Sequence, residues 1–218
     1  RGRPHESERA VYEDIGPSDG TADIVDKISS LYVETVNETR QLVSQEAIDQ
    51  AVDAIDQATM LAFFGIGSSV LAIENALVRF LRVGKACQFF ADFSINQIAT
   101  GTLGPGTLAI GISNSGRTIV VVDALRRARA AGARTLCITS FPDSPLAQVA
   151  DIRLFSPAVT SPLGPAEYHE SILSKIAQLQ IVDILYSGFA VRHYERSVKM
   201  LEDSSVFTSN TRYGSGEG

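Results

Sequence analysis

The sequence predicts an α/β fold: a three-layer α/β/α sandwich around a mainly parallel five-stranded sheet, with extra helices at the N-terminal and C-terminal ends. Two observations predict it. Short apolar runs such as Met60 to Phe64 and Thr107 to Ile112 alternate with longer stretches of helical periodicity. Each of these two runs also ends in glycine or small polar residues, as a strand does where it turns into a crossover helix. Strands alternating with helices imply right-handed crossovers and a sheet covered on both faces.

Each element follows from its own pattern. From Thr21 to Val43 the residues Ile24, Val25, Ile28, Leu31, Tyr32, Val36 and Leu42 recur mostly three or four apart, which is one helix face. A second helix is expected over Gln45 to Ala58, with Ser44 as its cap and Ile48, Val52 and Ile55 as its buried stripe. Met60 to Phe64 is too short for a helix before Gly65 and Gly67, so it reads as a strand buried on both faces. The alternation then continues with a helix at Val70 to Val83, a strand at Ala86 to Phe90, a short helix at Ile95 to Gly101 and a strand at Thr107 to Ile112. A helix at Thr118 to Ala131, a strand at Arg134 to Thr139, a turn at Pro142 to Pro145 and a last strand at Ile152 to Phe155 complete the sheet. After a loop marked by Pro157, Pro162, Gly164 and Pro165, a long amphipathic helix is expected from Glu167 to Val191. Arg1 to Gly20 reads as a linker from a missing upstream segment, residues 21–203 as the one core domain, and Ser204 to Gly218 as a loose tail.

The totals narrow the function classes. A chain of 218 residues with formal charge −6 lacks the clustered cations that hold nucleic acid by general electrostatics. Cys87 and Cys137 both fall in apolar stretches, which fits buried thiols in a reducing cytoplasm rather than a disulfide framework. No apolar run approaches the roughly 18 residues that would suggest a membrane span. His5, His169 and His193 have no nearby Cys partner, so no metal site is expected.

Two strand-to-helix turns carry the chemistry, because a parallel sheet opens its ligand crevice at the carboxyl ends of its strands. The first is Gly65, Ile66, Gly67, Ser68, Ser69 and the second is Ser113, Asn114, Ser115, Gly116, Arg117, Thr118. In the second, three hydroxyls and a glycine stand at a helix start, where free amides and the dipole favour an anion. It reads as a neutral cradle for a phosphate monoester, although Ser115 or Thr118 could equally be a simple helix cap. The first turn does not suit a dinucleotide, since Val70 stands where that fingerprint wants Gly or Ala. No triphosphate-binding loop is present either, so no cofactor is expected.

The runs Phe64 to Ser69, Arg82-Val-Gly-Lys85, Ile112 to Thr118 and Thr139 to Asp151 resemble a SIS (sugar isomerase) domain over Thr59 to Arg192. More narrowly, Arg82-Val-Gly-Lys85, Ser113-Asn-Ser-Gly-Arg-Thr118, Ser140-Phe-Pro-Asp-Ser-Pro-Leu146 and Ser174-Lys-Ile-Ala-Gln-Leu179 with Asp183 are similar to the effector half of RpiR family transcription regulators. The resemblance implies a flavodoxin-like SIS fold and an upstream helix-turn-helix domain that binds operator DNA. It also implies a phosphorylated sugar or sugar acid as effector, and a role in carbohydrate metabolism. By the same resemblance Ser113, Ser115 and Thr118 hold the phosphate, while Gly67, Ser68 and Ser69 reach it or the sugar hydroxyls. One departure is Lys175, where the family commonly carries Arg, a planar fork rather than a point charge.

The same fold serves enzymes and sensors. A phosphosugar isomerase would need a base beside the cradle, and Glu167, His169 and Glu170 are its candidates, although carboxylates in a first helical turn are also explained by the dipole. A sensor would need no such base, and an oligomerisation module would need no pocket. Of these, the phosphosugar sensor is the expectation, working as a homodimer or homotetramer in the cytoplasm.

Overall fold

The structure, a computed structural model, describes residues 15–158 and 171–209. Five strands, β1 (Met60–Phe64), β2 (Ala86–Gln88), β3 (Thr107–Ile112), β4 (Arg134–Thr139) and β5 (Ile152–Phe155), form one sheet in the order β2-β1-β3-β4-β5. Every pairing is parallel. The three-layer sandwich and the five-stranded parallel sheet are those expected.

Period-two alternation along buried strands supplies a core on each side of the sheet. Leu61, Phe63, Leu108, Ile110, Ile112, Leu136 and Ile138 point to one face and pack with helices α2 (Gln45–Gln57), α3 (Ser69–Arg82) and α7 (Ser174–Arg192). Ala62, Phe64, Ala109 and Cys137 point to the other, against α5 (Ile119–Ala130) and α6 (Pro145–Val149). Cys137 is fully buried and Cys87 half-buried, and burial pushes both thiols up to about 12.

Several elements depart from expectation. Strand β2 stops at Gln88 rather than Phe90, because β1 is its pairing partner and the register ends at Ala62↔Gln88. Helix α4 (Phe93–Ala99) begins two residues early, as Asp92 caps it by accepting from Ile95 N at 2.9 Å, and a 3-10 turn at Thr100–Thr102 follows. The expected turn at Pro142 to Pro145 leads into α6, whose Ser144 cap and Pro145 at the first helical position form a start signal too brief to show periodicity. Within the described residues the C-terminal helix runs from Ser174 to Arg192 with Ser171 to Leu173 before it as a non-helical turn, and the expected start at Glu167 lies outside the described residues. A further helix, α8 (Tyr194–Ser209), runs past Ser204, where the loose tail was expected to begin.

Helix α1 (Thr21–Leu42) lies on α7 rather than on the sheet. Its buried residues are Thr35 and Thr39, while Val25, Val33, Val36 and Leu42 are exposed. The orientation of α7 is set at its far end. His193 pairs with Asp56 at 2.7 Å, and Lys85 donates to Asp56 O and Ala58 O, all beside the amino ends of β1 and β2. The start of α7 therefore lies at the opposite, carboxyl edge of the sheet. Among the described residues no helix is long and apolar enough to cross a membrane.

Candidate functional site at the carboxyl edge of the sheet

The strand order reverses between β1 and β3, since β1 leads outward to β2 while β3 leads to β4 and β5. In an open parallel sheet the crevice forms at such a reversal, outside the carboxyl ends of the strands. The two turns singled out from sequence leave these two strands. They lie against each other: a Cβ added at Gly65 would stand 3.0 Å from Ile112 O and 2.7 Å from Ile73 Cδ1. Gly65 is thus where β1 ends close enough to bring its turn beside Ser113.

Within the second turn two of the three hydroxyls meet. Ser113 Oγ and Thr118 Oγ1 are 2.9 Å apart, and Gly116 N donates to Ser113 Oγ at 3.2 Å and Ser113 O at 3.1 Å. Ser115 Oγ accepts from Arg117 N at 3.2 Å. Thr118 occupies the N-cap of α5 yet makes no side-chain cap bond, so its hydroxyl faces Ser113 instead of serving the helix. That geometry separates Thr118 from the simple capping role left open by the sequence. Gly116 has φ +61, and a Cβ there would collide with the Ser144 side chain and sit 2.7 Å from Thr139 Oγ1. Only glycine fits both the left-handed backbone and the contact.

A second layer, which residue chemistry alone did not single out, holds this turn. Asn114 O accepts from Ser140 N at 3.0 Å and from Thr139 Oγ1 at 3.1 Å, and Leu146 N donates to Gly116 O at 3.0 Å. Ser140 Oγ lies 2.7 Å from Asn114 Oδ1, 2.8 Å from Ser156 Oγ and 2.9 Å from Pro157 O. Having one proton, Ser140 donates to one carbonyl oxygen at a time while Ser156 can donate to it. Asn114, grouped with the ligand contacts from sequence, has its side-chain oxygen turned to this layer. The available signal was Ser140 directly after β4, with Asp143 and Ser144 close behind it, at the same place in the strand-turn-helix repeat as the other two turns.

The first turn contributes differently from residue to residue. Gly67 is exposed with φ +61, Ser68 is half-buried at the N-cap of α3, and Ser69 is buried as the first residue of that helix. Arg117 is exposed at the rim, and Lys175 is half-buried at the start of α7. Glu167, His169 and Glu170 lie outside the described residues, as does His5. Among the described residues no group of three or more His, Cys, Asp or Glu could hold a metal ion.

Comparisons with known proteins agree with this fold. The family model for the SIS domain matches residues 54–187. An HTH-type transcriptional regulator of Caldanaerobacter subterraneus subsp. tengcongensis is 30% identical over 195 residues, covering 89% of this chain and 68% of the relative. The HTH-type transcriptional regulator RpiR of Escherichia coli K12 is 28% identical, over 88% of this chain and 64% of that protein. In structure, the Vibrio vulnificus NanR protein complexed with ManNAc-6P superposes with a TM-score of 0.79 at 22% identity, over 89% of this chain and 72% of that one. The chain belongs to the SIS domain family, and its relatives include HTH-type transcriptional regulators, RpiR of Escherichia coli among them.

Proposed function

We propose that this chain is the phosphosugar-sensing effector domain of an RpiR-type DNA-binding regulator, whose operator affinity changes when a sugar phosphate or phosphorylated sugar acid binds. The observation that carries the reading is the convergence of Ser113 and Thr118 hydroxyls, 2.9 Å apart, at the start of α5 and at the strand-order reversal. With a phosphate there, Ser113 and Thr118 give up their mutual bond and each donates its single proton to a phosphate oxygen, as does Ser115, and the charge is favoured by the positive end of the α5 dipole. ManNAc-6P bound to NanR, a protein of the same fold, supports a sugar phosphate as the ligand class.

In this reading the cytoplasmic domain pairs with a second copy through its apolar helices, and a helix-turn-helix domain preceding it reads the operator. Ligand then acts by shifting how two such readers are spaced.

The test is titration calorimetry with inorganic phosphate and a panel of ManNAc-6P, glucose 6-phosphate, fructose 6-phosphate and 6-phosphogluconate. At least one panel member is expected to bind with micromolar affinity and without turnover, and the Ser113→Ala, Ser115→Ala double variant is expected to lose at least about tenfold in affinity. Efficient aldose-ketose interconversion, or unchanged binding in the double variant, contradicts the reading.

A further inference from the structure

Gln178 is fully enclosed, and neither its Nε2 nor its Oε1 has a hydrogen-bond partner among the described residues. A methionine or leucine would fill such a space without an unpaired amide, so a buried group of this kind calls for a reason.

Its position in the fold supplies one. Helices α3 and α7 run side by side in the same direction: Asn75 Nδ2 donates to Asp183 Oδ1 across an offset of 108 residues, and Phe80 meets Tyr186 and Phe189. Subtracting that offset from 178 gives 70, so Gln178 is level with Val70, one residue past Ser69 at the start of α3. Measured from the other end, Gln178 lies 15 residues before His193, about 22 Å along a helix, whereas the five residues of β1 span about 17 Å. Both measures place the amide at the carboxyl edge of the sheet, beside the crevice. Along α7 it continues the buried stripe of Ile181, Val182, Leu185 and Phe189 one turn beyond the apolar core. The buried residues Ser69 and Ser174 begin α3 and α7, and the buried Ser113 and Ser171 directly follow β3 and shortly precede α7.

We infer that Gln178 is the specificity-determining group of this site, and that its amide reads a hydroxyl or carbonyl substituent of the sugar while the Ser113 to Thr118 turn holds the phosphate. This assignment rests on the phosphosugar reading above. An amide offers donors and an acceptor together, so it pairs with a sugar hydroxyl or an acetamido group and rejects an analogue that leaves it unmatched. Because the amide is enclosed, a sugar reaches it only by displacing neighbouring side chains. Recognition at Gln178 is therefore coupled to movement where α3 and α7 begin.

Two variants test the assignment, Gln178→Met, which keeps the volume and removes the amide, and Gln178→Asn, which withdraws it by one methylene. Each is titrated with inorganic phosphate and with the panel member that the wild-type protein binds most tightly. Phosphate affinity is expected to stay within about twofold of wild type while sugar-phosphate affinity falls at least about tenfold. A purely structural role would move both affinities together or neither. Wild-type affinity for the sugar phosphate in either folded variant, or an equal loss for both probes, overturns the assignment alone. Wild-type protein that binds neither probe overturns the phosphosugar reading and this assignment with it.

Discussion

At the scale of single residues the phosphate turn depends on backbone that few side chains tolerate. Gly116 has φ +61 and rests on the Ser144 side chain, so Gly116→Ala is expected to cost about 1–3 kcal/mol from the left-handed backbone alone. Urea unfolding measures this, and a wild-type midpoint in that variant would contradict the packing described. The thiols offer a second check. Cys137 and Cys87 are held by burial with thiols raised to about 12, so iodoacetamide at pH 8 is expected to modify both far more slowly in native than in urea-unfolded protein. Ser113, Ser115 and Thr118 stood out in the sequence because their type and spacing follow an apolar run directly. Asn114 looked the same in sequence, yet its side-chain oxygen faces Ser140, because one-dimensional spacing does not tell which side of a turn a residue takes. Gln178 was legible only as part of a family motif, since its enclosure is a property of how α7 packs.

At the scale of elements, the short helix α6 supports the turn through Leu146 N to Gly116 O, and Ser144 starts that helix by accepting from Ala147 N at 3.3 Å. Ser144→Ala is expected to lower stability by about 1 kcal/mol as a lost cap. It is also expected to weaken inorganic phosphate binding, which calorimetry would detect; an unchanged affinity would mean that α6 does not position the turn. Strands β1, β3 and β4 were readable because each is mostly apolar, closed by glycine or polar residues, and buried almost throughout, whereas the edge strand β5 keeps Arg153 exposed and alternates. Strand β2 was overread because Phe89 and Phe90 are apolar without being paired: they pass the point where the register with β1 ends. Helix α8 carries mixed polar and apolar residues and touches α7 and α3.

At the scale of the whole molecule, the order β2-β1-β3-β4-β5 brings two sequence-distant turns to one crevice. The alternation of strands and helices predicted the parallel sheet, and the reversal between β1 and β3 explains why the turns after these two strands meet at a crevice, with the turn after β4 bonded behind the second of them. The exposed Val25, Val33, Val36 and Leu42 on α1 belong to the same scale. If these side chains pair subunits, sedimentation is expected to show a dimer or tetramer, and Val33→Asp with Val36→Asp is expected to shift it toward monomer; a monomeric wild type would contradict that pairing. The most direct measurement of the central claim is a crystal structure with the tightest-binding sugar phosphate of the panel. Phosphate oxygens within hydrogen-bonding reach of Ser113 Oγ, Ser115 Oγ and Thr118 Oγ1 are the predicted result. A phosphate bound elsewhere, with these three hydroxyls still bonded only to the protein, would contradict it.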